Sequence, residues 1–173
     1  VTPKGVRQYN HLQKIRATGS QLKAADGTVM HATLLEKILT LLAVKTATLD
    51  PYGLGIEMEG GKPGWYDALN GLPGLLGSSV AETLELCRAL EDLTARPARF
   101  CRSVSLMGEA APLARNVTRI LEENEAVWQR EGENLTVWNA LSDAREAYRA
   151  ALMSRVAGTK TELSADEIAH MLG

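Results

Sequence analysis

At 173 residues the chain is long enough for one domain with a sizeable core. Its composition, 45% hydrophobic and 23% charged with a net charge of −2, is ordinary for a soluble protein, and no basic excess points to nucleic acid or an anionic membrane surface. The two cysteines, Cys87 and Cys101, sit beside apolar residues, which argues against a disulfide scaffold and for a reducing, cytoplasmic setting.

No secretory signal opens the sequence. The longest apolar run, Leu34 to Val44, is interrupted by Glu36, Lys37 and Thr40, so no membrane span is expected. The chain begins at Val1 rather than Met, and its last helical pattern stops almost at once. Both features read as a piece of a longer polypeptide.

In chain order, Val6, Tyr9, Leu12 and Ile15 suggest a short helix that Gly19 ends. Asp26-Gly27 is a tight-turn dipeptide. His11 and His31 have no second ligand at i+4, so they read as solvent or packing residues and no metal site is expected. From Ala32 to Leu49 the pattern is strongly helical, apolar on most sides, with Glu36, Lys37, Thr40 and Lys45 as a wet edge; Asp50-Pro51 closes it.

A second helix opens at Ser79, where Ser79 and Glu82 form a capping box. Its apolar face reads as Val80, Leu84, Cys87, Leu90 and Leu93, with Cys87 in the core, and Arg96-Pro97 ends it. Residues 98 to 112 alternate weakly through Phe100, Val104 and Leu106, but read equally as a short helix broken at Pro112. Further helices are expected over Leu113–Glu131 and Asn134–Val156, the latter carrying Leu135, Trp138, Leu141, Tyr148 and Leu152 near one face. Arg149 and Arg155 read as surface residues, and Trp128 and Trp138 as core. Ser164 and Glu167 form another capping box before Ile168, Met171 and Leu172. No strand pattern of any length is evident. The expected fold is all-α: helical hairpins with one elaborate loop.

That loop spans residues 50–79 and holds eight of the 15 glycines and three of the six prolines. An insertion of this length inside a compact domain is uncommon and usually functional. Its Trp, Tyr, Leu and Met content argues for order. It gathers Glu57, Glu59, Lys62, Trp65, Tyr66, Asp67 and Asn70 on a Gly/Pro frame. An aromatic plate beside a carboxyl group suits a sugar, because the ring covers the apolar C–H face while the acid grips hydroxyls or moves protons. A carboxyl against an indole loses hydration, which favours its protonated, general-acid form. Glu57 and Glu59 alternate with Ile56 and Met58, so both point the same way if the backbone is extended. The plainer reading makes Asp67 a turn-former beside Asn70-Gly71. Gly77-Ser78-Ser79, at a helix start, is an anion-binding candidate whose simpler role is capping.

The stretch GWYDALNG at 64–71 resembles the Trp-Asn-Asp signature of the cellobiose-phosphorylase family of glycoside phosphorylases, within the six-hairpin glycosidases. The following LPGLLGSSVAETLELCRALEDL is similar in layout to that family's Gly-rich loop, Ser and helix. Two positions depart from the signature, Tyr66 in place of Asn and Ala68 in place of Gly. The resemblance implies an (α/α)6 barrel, of which residues 1–173 would be a part and 50–79 the active-site loop. It further implies Asp67 as general acid and Trp65 as a substrate contact, with Tyr66, Lys62 and Asn70 nearby.

The implied reaction is inverting phosphorolysis of a β-linked glucoside or oligosaccharide, with inorganic phosphate as co-substrate and no other cofactor. The family's phosphate ligands, a His and a Ser/Thr-Gly element, have no match in this sequence. One alternative is an inverting glycoside hydrolase with Glu57 or Glu59 as base, roughly 6.5–9.5 Å from the acid. Another is a non-enzymatic helical interaction domain.

Overall fold

The computed structural model describes residues 22–57, 78–95, 103–128, 134–154 and 156–172. The described residues are mostly helical, in the order α1 (Leu34–Thr46), β1 (Ile56–Glu57), β2 (Ser78–Ser79), α2 (Val80–Thr94), β3 (Ser103–Met107), α3 (Ala110–Glu123), α4 (Glu125–Trp128), α5 (Leu135–Ser154), β4 (Lys160–Ser164) and α6 (Ala165–Leu172).

Thr33 starts α1. Its hydroxyl accepts from Glu36 N at 3.1 Å, and the Glu36 carboxylate accepts from Thr33 N at 3.3 Å, a complete capping box. Glu36 is therefore not on a wet edge: it is buried and bonded to Lys160 Nζ at 2.5 Å, which ties α1 to β4. Nor is α1 buried on most sides, since Leu34 and Leu41 face solvent while Leu39, Leu42 and Ala43 turn inward. The helix ends at Thr46, short of the proline, and Ala47 N closes the last turn on Ala43 O.

Ser79 caps α2 as expected, accepting from Glu82 N at 3.2 Å, but the Glu82 carboxylate reaches Lys45 of α1 instead of turning back. The buried stripe of α2 is also rotated from the expected one. Leu86 is its buried residue, with Ala89, Leu90 and Leu93 beside it, whereas Val80, Leu84 and Cys87 are exposed. Leu86 packs with Leu42 and Ile56, so α1, α2 and β1 meet in a second, smaller apolar cluster.

The fold is not purely helical. β3 and β4 pair antiparallel over five residues in the register Val104↔Leu163 and Leu106↔Thr161. Val104 and Leu106 point inward and Ser103 and Ser105 outward, the period-2 alternation of a half-buried strand. Beyond β3, Pro112 lies in the first turn of α3, where its missing N–H removes no helical bond. The expected single helix after it is divided by Asn124, whose side-chain amide donates to Ile120 O.

The main core gathers Leu39 and Ala43 from α1, Leu106 from β3, Leu113, Ala114 and Val117 from α3, Val137 and Leu141 from α5, Leu163 from β4 and Ile168 from α6. α6 is seated by a complete capping box between Ser164 and Glu167. No helix among the described residues is long and apolar enough to cross a membrane.

Candidate functional site

The Gly/Pro-rich stretch is anchored at both ends. β1 and β2 pair antiparallel in the register Ile56↔Ser79 and Glu57↔Ser78, so the chain leaves the helical frame at Glu57 and rejoins it directly alongside. Asp50 organises the approach. Its backbone N–H donates to Gly55 O at 2.8 Å, and its Oδ1 accepts from the N–H groups of Tyr52 and Leu54 at 3.1 and 3.0 Å. Its Oδ2 accepts the Ser78 hydroxyl at 2.7 Å, tying the 50–55 turn to β2. These bonds require small residues. A Cβ on Gly55 would sit 2.5 Å from Ser78 Oγ and 2.6 Å from Ser78 Cβ, and Gly53 has φ of 69°.

Ser78 and Ser79 are thus both used by the fold. One hydroxyl serves Asp50 and the other caps α2, so the simpler of their two predicted roles is the one observed.

Glu57 is the predicted site residue that the described structure contains. Its N–H donates to Thr48 O at 2.7 Å, and its side chain enters a socket on α5. Trp138 Nε1 donates to Glu57 Oε1 at 2.8 Å, and Arg145 Nη1 lies 3.9 Å from Oε2 while donating to Ala47 O at 3.2 Å. Trp138 and Arg145 are seven residues apart, two helical turns, and so share a face of α5. Asn134 begins that helix: its Oδ1 accepts from Val137 N, and its N–H donates to Pro51 O at 2.7 Å, which joins α5 to the Asp50 turn. Burial pushes the Glu57 carboxyl above its ordinary pKa. The Trp138 N–H and the Arg145 charge pull it down less strongly, and the Asp50 charge adds to the rise.

Glu59, Lys62, Trp65, Tyr66, Asp67 and Asn70 lie outside the described residues, as do Arg155's side chain, Cys101 and His11. Arg149, predicted at the surface, is instead largely buried, with Nη1 2.9 Å from Glu146 Oε1. Sequence reading missed Asp50, Arg145 and the polar use of Trp138. Arg145 carried a signal: it stands at i+4 from Leu141 and i+8 from Val137, a charge on the apolar stripe. A half-buried indole also needs an acceptor for its N–H, which made Trp138 more than packing. Among the described residues no group of acidic, His or Cys side chains is arranged to hold a metal.

Comparison with protein-family models finds no match for this chain, and none of the curated proteins is significantly similar to it.

Proposed function

We propose that the chain is part of a cytoplasmic carbohydrate-active enzyme that cleaves a β-linked glucoside by inverting phosphorolysis on an (α/α)6 barrel. Asp67 gives its proton to the glycosidic oxygen as the bond to the anomeric carbon breaks. An oxygen of inorganic phosphate attacks that carbon from the opposite face, giving glucose 1-phosphate and the shortened sugar. Trp65 covers the apolar side of the glucosyl ring, with Tyr66, Lys62 and Asn70 as further contacts.

One observation supports this reading beyond the motif. The stretch carrying GWYDALNG leaves the described frame at β1 and rejoins it at β2, two strands that pair with each other, so its two ends are held side by side. The state of Glu57 removes one of the two candidate bases for a hydrolase. An inverting hydrolase needs a carboxylate that can activate water, and Glu57 is buried and engaged with Trp138. Glu59 is then the base that a hydrolase would require.

The test is to incubate the full polypeptide with a β-linked gluco-oligosaccharide, with and without phosphate. Glucose 1-phosphate that forms only with phosphate supports the proposal. Free glucose formed regardless of phosphate supports the hydrolase instead, and turnover under neither condition overturns both.

A further inference from the structure

We propose that Glu57 is a proton-operated latch between β1 and α5: neutral, it seats the strand in the socket of Trp138 and Arg145, and ionised, it loosens that seat.

The geometry argues against a settled carboxylate there. The Glu57 side chain is only 7% exposed, so an ionised form has surrendered nearly all its water. Among the described residues, what replaces the water is one neutral donor, Trp138 Nε1 at 2.8 Å, and one guanidinium at 3.9 Å, beyond hydrogen-bond reach. The Arg145 nitrogen nearest to Glu57 also serves Ala47 O.

Among the described residues, the other charges near Glu57 give its carboxylate little help. On α5, Glu146 Oε1 lies 3.7 Å from Arg145 Nε and 2.9 Å from Arg149 Nη1, and so competes for the cation. Asp50, in the turn before β1, adds a like charge that raises the Glu57 pKa. On α1, Lys45 is turned to Glu82 of α2 at 2.5 Å. A neutral carboxyl removes the desolvation penalty and still leaves an acceptor for the Trp138 N–H.

The pH dependence follows in sign. The seated state holds its proton more tightly than an unseated glutamate does. Seating is therefore strongest in acid and weakens as pH rises from the ordinary glutamate range through the raised value of Glu57. The structural consequence falls on the Glu57 N–H bond to Thr48 O and on the Ile56↔Ser79, Glu57↔Ser78 ladder. None of this depends on the glucoside reading.

The experiment is a pH series of NMR spectra on the full chain. It follows the indole N–H resonance of Trp138 and the exchange protection of the Glu57 amide, corrected for intrinsic exchange. The expected result is an indole titration with a midpoint above the ordinary glutamate value of about 4.3. Protection of the Glu57 amide should fall over the same window. Glu57→Gln should remove the pH dependence. Trp138→Phe should move the protection midpoint to higher pH, because the lost donor favours the ionised form. An indole resonance that stays flat from roughly pH 4 to 8 overturns the latch, as does a pH dependence that survives Glu57→Gln. If Glu57→Gln does not fold, an unchanged midpoint in Trp138→Phe overturns it equally.

Discussion

Arg145 places its charge on the buried stripe of α5, with carboxylate oxygens of Glu57 and Glu146 within 4 Å. Arg145→Ala removes the donor to the buried Ala47 O and a cation beside Glu146. It is expected to lower stability by about 1–3 kcal/mol, the scale of a buried acceptor left unpaired, read as a reduced denaturant midpoint. A loss under about 1 kcal/mol, the scale of an exposed pair, would show that these contacts are effectively solvated. Gly55 makes a second residue-scale prediction. Because its Cβ position falls against Ser78, Gly55→Ala must push β2 from the Asp50 turn, at about 1–3 kcal/mol. Thermal melts of the two proteins measure it. The glycine-rich composition of 50–79 was legible in the sequence. Which glycine carries a contact was not, because that depends on a residue 23 positions away in the chain meeting its Cα.

Among elements, the start signals were the most readable and the buried faces the least. Ser164 with Glu167 forms the full reciprocal cap that the spacing predicts. Glu82 left its box because Lys45 offers a charged partner across the hairpin. The Thr33 box is hidden in the sequence because Glu36 falls among the polar positions of the 32–49 pattern, and the charge of Lys160 from β4 offsets its burial. Helix α2 has apolar residues at enough positions to support more than one stripe. Packing against Leu42 and Ile56 selects the one through Leu86.

Strand β3 showed its alternation, but its partner β4 has a single buried residue, Leu163, and so gave no period-2 signal. Leu106 and Leu163 are both fully buried where this ladder meets the helices. Leu106→Ala is expected to cost about 2–5 kcal/mol, seen in the denaturant midpoint. Acid should also act on α6. The backbone N–H of Ser164, foremost, and the Arg115 guanidinium hold Glu167 below its ordinary pKa. Their stabilisation is complete above the ordinary glutamate range and is lost as pH falls through the depressed value. The amides of α6 should therefore lose exchange protection in acid while those of α3 keep theirs.

At the scale of the molecule, the sequence pointed to an all-α chain of helical hairpins; the described residues are mostly helical, with α1 and α2 on either side of the β1–β2 ladder in chain order. The second sheet was the unforeseen part, and it fastens the C-terminal α6 to the same core as α1. The ladder sets where the 58–77 segment is attached, while the chemistry proposed for that segment comes from its motif.

The claim that Asp67 is the general acid is open to a leaving-group comparison in the full polypeptide. Asp67→Asn should cut turnover of a sugar-linked β-glucoside by about 10²–10⁴-fold, with phosphate present. It should largely spare a β-glucoside whose nitrophenolate leaves without a proton. Equal loss on both substrates, or no loss on either in a folded variant, would contradict the assignment.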